Sequence, residues 1–188
     1  PALKPYVIFI EAISKVFAAT GVRVGWSMGP ATIINKMKAI LGHIGTWAPM
    51  AEQKALTRFL PQRKEIEDYL VHFKAAVAER LQLIFEGIQA LKKEGLPVDA
   101  IAPEAAIYLT IKIDAAGKKT KNGKMLDNQS SVTAYILDEA HIAIVPFYAF
   151  GSKKDNPWYR LSVGTCKIEE IPDMLQSLKK ALEQIEGA

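Results

Sequence analysis

Ser14-Lys15-Val16-Phe17-Ala18-Ala19-Thr20-Gly21-Val22-Arg23-Val24-Gly25-Trp26 is the stretch on which the reading of this chain turns. A lone lysine follows the apolar run Tyr6-Val7-Ile8-Phe9-Ile10, and eight residues later comes an arginine with glycines close on either side. Desolvation of an ammonium group at the end of a buried strand frees a neutral amine. A neutral amine adds to an aldehyde or ketone. The planar fork of donors on Arg23 suits a phosphate or carboxylate nearby, and the glycines let backbone come close to a bound ring. The same residues also read as a strand, a helix start and two ordinary basic side chains. Spacing by itself does not choose between the two.

At 188 residues the chain can form one sizeable domain or two small ones. Apolar residues make up 49% and charged residues 23%, the balance of an ordinary globular protein. No apolar run approaches the ~20 residues of a membrane span, so no membrane partner is expected. Cys166 is the single cysteine, which excludes an internal disulfide and suits a reducing cytoplasm. His43, His72 and His141 are scattered, and no metal site is expected. The net charge of +4 is mild, and the loop Lys118-Lys119-Thr120-Lys121-Asn122-Gly123-Lys124 carries no interleaved aromatics. It reads as a solvated turn, and no nucleic-acid partner is expected. The opening Pro1-Ala2-Leu3-Lys4-Pro5-Tyr6 has neither an initiator methionine nor a signal-peptide pattern, as expected of a chain that begins partway through a longer protein.

Residues 6–10 form a continuous apolar run of the kind found in a parallel strand buried on both faces. Such a strand needs neighbours, and those are expected upstream. A second strand is predicted over 22–28, closing at Gly29-Pro30, and a helix over 31–41 that stops near Gly42. The loop Gly45-Thr46-Trp47-Ala48-Pro49 precedes a helix over 50–60. Trp47 reads either as a core residue or as part of a ligand pocket.

From Gln62 to Glu94 the apolar residues Ile66, Leu70, Phe73, Val77, Leu81, Ile84, Ile88 and Leu91 recur every three or four positions. They predict one helix about 50 Å long, ended by Gly95 and Pro97. A coiled coil is the other structural reading. The remainder predicts a small α/β unit: a strand over 105–113, the basic loop over 115–128, and a helix over 130–139 capped by Ser130 or Asp127. Strands over 142–145 and 158–163 and a closing helix over 169–185 complete it.

Trp158-Tyr159-Arg160-Leu161-Ser162 sets an arginine inside a strand that is otherwise apolar or aromatic. A buried guanidinium without a partner is costly, so Arg160 must snorkel to solvent, meet an internal carboxylate or bind an anion.

The opening stretch resembles the lysine signature of the class I aminotransferases, pyridoxal-phosphate enzymes of fold type I. Ser14, Lys15, Ala18, Ala19, Gly21, Arg23, Val24 and Gly25 all fit that signature. One position departs: Ala12 stands where the family has Ser or Gly, and it lacks the hydroxyl that helps hold the cofactor phosphate. By this resemblance Lys15 is the catalytic lysine that holds the cofactor and Arg23 binds its phosphate. Arg160-Leu161-Ser162 resembles the family strand whose arginine grips the substrate α-carboxylate. Val145-Pro146-Phe147-Tyr148-Ala149-Phe150-Gly151 resembles the family's Val-Pro-Gly-x-x-Phe-Gly turn, with Phe147 in place of glycine. Pro103-Glu104-Ala105-Ala106-Ile107-Tyr108 resembles a further segment, with Ala105 where glycine is common.

The resemblance implies an α/β fold: the end of a large-domain sheet over 1–60, a long connecting helix over 61–95 and a small C-terminal α/β domain over 96–188. It implies amino-group transfer between amino acids and 2-oxo acids, with pyridoxal phosphate as cofactor, in a cytoplasmic homodimer. In such dimers the loop carrying Trp47 reaches the neighbouring subunit's active site. The family's aspartate at the pyridine nitrogen, tyrosine and asparagine at the ring oxygen, and phosphate-binding turn all come earlier than Pro1. The chain is therefore expected to be a C-terminal portion, inactive alone. A lyase or synthase of the same fold, and a non-catalytic binding or dimerisation module, are the alternative functions.

Overall fold

In the computed structural model, which describes residues 3–187, the chain divides inside its long helix into one unit ending at Phe73 and a second starting at Lys74. In the first unit β1 (Phe9–Ala12) pairs antiparallel with β2 (Gly25–Met28), with Phe9 opposite Met28 and Ala12 opposite Gly25. The single-turn helix α1 (Ile13–Val16) follows β1 directly. Helices α2 (Ala31–Ile44) and α3 (Met50–Phe59) come next, and α4 (Arg63–Lys93) begins in this unit. Phe17 packs edge-on against Phe59, with centroids 5.2 Å apart, and lies 6.3 Å from Tyr69, which stacks on Phe73. These rings tie the residues after α1 to α3 and the start of α4.

Several details differ from the sequence expectation. The apolar run 6–10 is exposed, Tyr6 by 84% and Ile10 by 72%, and the pairing that starts at Phe9 is antiparallel. Burial on both faces needs a layer on each face, and the described residues supply neither. Pro5 also draws Lys4–Tyr6 into a 3₁₀ turn before the strand can start. β2 begins three residues late because Thr20–Val22 forms a 3₁₀ turn and Arg23 is left-handed. Gly42 lies inside α2. The helix stops at Gly45, whose left-handed backbone (φ 68) lets its N–H bond the Leu41 carbonyl at 3.0 Å. Trp47 is 56% exposed and belongs to no core here.

The second unit has a four-stranded antiparallel sheet in the order β3 (Val98–Ala100), β4 (Tyr108–Ile113), β8 (Trp158–Ser162), β7 (Val145–Pro146). A small hairpin of β5 (Lys118–Lys119) and β6 (Met125–Leu126) stands apart from that sheet. Helices α5 (Gln129–Ala140) and α6 (Ile171–Glu183), with Leu81, Ile84, Ile88 and Leu91 of α4, enclose a continuous core around Leu109, Ile111, Ile113, Tyr159 and Leu161. Those four α4 positions share one helical face, as their spacing requires. A Cβ at Gly87 would overlap the Leu175 side chain, so glycine there lets α4 and α6 come close.

Here too the ends move. β4 starts at Tyr108 rather than at Ala105, because Ala106 is left-handed (φ 64) and breaks the extended run. The cap of α5 is Asn128, not Ser130 or Asp127. Its side-chain oxygen accepts from the N–H groups of Ser130 (2.9 Å) and Ser131 (3.1 Å), while Ser131 Oγ accepts from the Asn128 N–H. A capping box joins the cap to the residue three positions on, and Asn128 stands three before Ser131. The strand predicted over 142–145 shrinks to Val145–Pro146, with Ile142 and Ile144 buried ahead of it.

Candidate active site

Lys15 and Arg23 lie on one closed connection. Ala12 faces Gly25 across the β1–β2 pair, and the Ile13 N–H donates to the Val24 carbonyl at 3.3 Å, closing the base of the 13–24 segment. Ile13 and Val24 are both buried and anchor it. Lys15 stands two residues beyond Ile13 on α1, and Arg23 adjoins Val24. Thus the topology holds both cationic side chains on a loop whose two ends are fastened together.

The segment is also strained. Of the four non-glycine residues with positive φ among the described residues, two lie here: Ala18 (φ 50) and Arg23 (φ 59). A left-handed residue with a Cβ costs about 1 kcal/mol, and such strain concentrates at functional sites. One terminal nitrogen of Arg23, Nη1, donates to the Thr20 carbonyl at 2.9 Å, which leaves the rest of its fork for another acceptor. Lys15 is exposed and takes part in none of the ion pairs among the described residues.

One sequence expectation about this loop needs correction. Lys15 does not end a buried strand: β1 is open on its faces, and the amine is solvated. The two glycines of the loop differ in the room around them. An added Cβ on Gly25 would lie 2.9 Å from the Glu11 carbonyl oxygen and 3.1 Å from the Ala12 Cβ, so Gly25 serves the strand contact. Around Gly21 the space is open.

Arg160 belongs to the second unit. Along β8 burial alternates: Tyr159 and Leu161 face the core, while Trp158 and Arg160 lie on the other face and are half-buried. Period-two geometry thereby removes the penalty of a core guanidinium. Arg160 sits opposite Thr110 of β4 and Val145 of β7. Its guanidinium carbon is 4.5 Å from the ring centroid of Tyr108 and 4.4 Å from that of Phe150. Among the described residues no carboxylate forms an ion pair with it. Neither snorkelling alone nor an internal carboxylate therefore describes it. It is a cation held over two aromatic rings, with donors left for an anion.

Tyr159, next to Arg160, donates its hydroxyl to Oε1 of the buried Gln129, whose Nε2 donates to the Asp155 carbonyl at 3.3 Å. Burial raises the Tyr159 phenol well above its ordinary range. This pair locks β8 to the start of α5. From α4, Arg80 Nε donates to the Cys166 carbonyl at 2.7 Å, fixing the segment just after β8, and burial pushes the Cys166 thiol up.

The aminotransferase class I and II family pattern matches residues 2–178. The chain belongs to that family. It is 30% identical to an aspartate aminotransferase of Rhizobium meliloti over all of its own length and 42% of that enzyme's. It is 28% identical to a probable aspartate/prephenate aminotransferase of Rickettsia bellii over 96% of its length and 43% of that protein's. The crystal structure of the Rhizobium meliloti aspartate aminotransferase superposes with a TM-score of 0.81 and 26% identity, over 99% of this chain and 44% of that one. An aromatic aminotransferase from Pyrococcus horikoshii shares the fold, with a TM-score of 0.80 and 23% identity over 97% of this chain. The chain thus spans less than half the length of the relatives it matches, and its α/β fold is part of the fold type I aminotransferase architecture.

Class I and II aminotransferases depend on pyridoxal phosphate, and the donor set here fits that group. Lys15 offers an accessible amine for its aldehyde, and Arg23 offers free in-plane donors for its phosphate. Ala12 contributes no hydroxyl. Sequence reasoning missed two residues, Tyr108 and Phe150. Their aromatic character gave no sign of a partner until strand order placed each beside Arg160.

Proposed function

We propose that this chain carries the lysine, the phosphate-binding arginine and the substrate-carboxylate arginine of an amino acid aminotransferase. The match to the family over residues 2–178, a span that includes all three, carries this reading. Lys15 Nζ would hold the cofactor's aldehyde carbon, and once released would take the α-proton of the amino acid and return it as general base and acid. Arg23 would bind the cofactor phosphate through the donors that Thr20 leaves unused. Arg160 would grip the α-carboxylate by two parallel bonds from its in-plane nitrogens. Pyridoxal phosphate, when bound, supplies the electron sink for the pair left on the α-carbon.

L-aspartate is the first donor to test, with a 2-oxo acid as acceptor, because the relatives at 28–30% identity are named for it. The exposed apolar side chains of the first unit, among them Ile8, Ile10, Ile40, Ile44 and Met50, support burial against further protein, read here as a homodimeric enzyme. The single cysteine supports a reducing cytoplasm.

Reductive trapping tests the assignment. Pyridoxal phosphate is added to the protein and reduced with borohydride, and the modified peptide is mapped by mass spectrometry. Trapping concentrates on Lys15, disappears in Lys15→Ala and falls in Arg23→Gln. Equal labelling of Lys118, Lys119, Lys121 and Lys124 would overturn it.

A further inference from the structure

Three candidates outside the lysine loop stand out: the polar hollow at the start of α5, the exposed apolar residues of the first unit, and the aromatic setting of Arg160. The hollow, lined by Asn128, Gln129, Ser130, Tyr148 and Lys154, has its buried polar groups already paired. The apolar surface belongs to the association already proposed. The setting of Arg160 carries more.

In the sheet order β4-β8-β7, strand β8 has a neighbour on each side, and each side sends one aromatic ring to Arg160. Tyr108 comes from β4, where it pairs with Ser162 and so shares a face with Arg160 two positions away. Phe150 comes from the 3₁₀ turn Phe147–Phe150 that follows β7. That turn is itself fastened. Phe147 packs edge-on against Phe150, with centroids 6.4 Å apart and planes at 84°. Tyr148 Oη and Ser130 Oγ hydrogen-bond at 2.8 Å, pinning the turn to the first turn of α5. Gly151, left-handed at φ 91, closes it by donating to the Tyr148 carbonyl at 3.1 Å. Phe150 is 55% exposed, so a ring this open to solvent is held in place by its contacts with Arg160 and Phe147 rather than by burial.

We infer that Tyr108 and Phe150 form an aromatic clamp that fixes the guanidinium plane of Arg160 for carboxylate binding, and that Phe147 is the brace that keeps Phe150 in the clamp. Rings engage the flat surface of the guanidinium by cation–π attraction and leave its edge, where the N–H donors lie, for a ligand. A planar carboxylate accepts two such bonds in that same plane. Fixing the plane beforehand removes the ordering cost that a free arginine meets on binding. Phe147 therefore acts through Phe150. The large residue that replaces a glycine in the resembled turn is part of the device, not an obstruction at its mouth. This inference rests on the proposal that Arg160 binds a carboxylate.

The test uses the arginine Nε–H resonances of the ¹⁵N-labelled chain, with succinate as the probe, and Arg160→Gln to identify the Arg160 signal. A guanidinium over two rings gives an Nε–H signal displaced upfield, and succinate perturbs it. Phe150→Leu keeps an apolar side chain of similar bulk but no ring. It is expected to move the signal back toward the other arginines and to weaken succinate binding ~2- to 5-fold. Phe150→Trp keeps both properties, and Tyr108→Leu repeats the loss from the other side. Phe147→Gly moves the signal part of the way back. If Arg160→Gln abolishes succinate binding but Phe150→Leu and Tyr108→Leu bind as the native chain does, the clamp is wrong and the carboxylate assignment stands. If Arg160→Gln binds succinate unchanged, the carboxylate assignment fails and the clamp's purpose with it. An unshifted signal in the native chain, or one that Phe147→Gly leaves unmoved, removes the clamp or the brace respectively.

Discussion

The two units bury their apolar residues very differently. In the second, the core runs without a break from α4 through the sheet to α5 and α6, with Ile113, Leu126, Val132, Ile136, Tyr159 and Leu182 almost wholly buried. In the first, Ile13 and Val24 are the fully buried apolar residues among those described, while Tyr6, Ile10, Ile40, Ile44, Trp47 and Met50 are more than half exposed. The first unit carries the lysine on a strained loop, and the second carries the arginine on a strand set in a packed sheet. A packed core fixes Arg160 through its neighbours on both strands. Lys15 is fixed only by the closure of its own loop and the rings that Phe17 meets.

The sharpest way to break that comparison is a cavity on each side. Ile136→Ala, from a site with no exposure, should cost ~2–5 kcal/mol. Ile33→Ala, 40% exposed on α2, should stay within ~0.5 kcal/mol. Urea denaturation of the two variants measures both, and equal costs would show that the first unit has a core of its own.

Next in size is Tyr159→Phe, which leaves the buried Gln129 Oε1 without its donor and should cost ~1–3 kcal/mol. It has a pH signature of definite sign. Burial raises the native phenol, so its contribution is intact below the unfolded value near pH ~10 and is lost as pH rises above it. Alkaline stability curves should therefore fall less steeply in Tyr159→Phe than in the native chain, the remaining slope coming from Tyr135 and Cys166, which burial also raises.

In the first unit a comparable effect is expected from a single methyl group. Gly25→Ala pushes a Cβ against the Glu11 carbonyl, a backbone atom that cannot turn aside, and should cost ~1–3 kcal/mol. Gly21→Ala meets nothing within 4 Å and should be neutral or slightly stabilising. Hydrogen exchange at the paired amides of β1 and β2 separates the two, since only Gly25→Ala should speed it.

The smallest effect concerns helix starts. Asn128→Ala removes the side-chain cap of α5 and should cost ~1 kcal/mol, seen as a lower melting temperature. Helices α2 and α3 begin after Pro30 and Pro49 with no side-chain cap to lose. Alanine at either position should leave the melting temperature nearly unchanged.

Much of this was legible along the chain. The 3.6-residue rhythm of Ile66 through Leu91 specifies α4 nearly to its ends, Arg63–Lys93 against a predicted 62–94. Lys15, Arg23 and Arg160 drew notice as cations in apolar settings, and the motif resemblance, not the setting, chose them as candidate site residues. The misplaced element ends have local causes that hydrophobic pattern does not carry. Arg23 and Ala106 adopt left-handed backbone, and Gly45 rather than Gly42 takes the helix stop. The exposure of Tyr6-Val7-Ile8-Phe9-Ile10 agrees with the expectation that this strand's neighbours lie upstream, because an apolar run states a preference for burial that only what packs against it can satisfy.

The clamp around Arg160 shows the same division. The sequence by itself determined where the long helix would run and which of its residues would face a core, because those follow from local periodicity, while the choice of Lys15, Arg23 and Arg160 as candidate binding residues came from motif resemblance. Only the tertiary structure decided that Tyr108, Arg160 and Phe150, drawn from segments more than forty residues apart end to end, meet at one place. Strand order and register set those contacts. Both arise from long-range pairing, which no single stretch of sequence encodes.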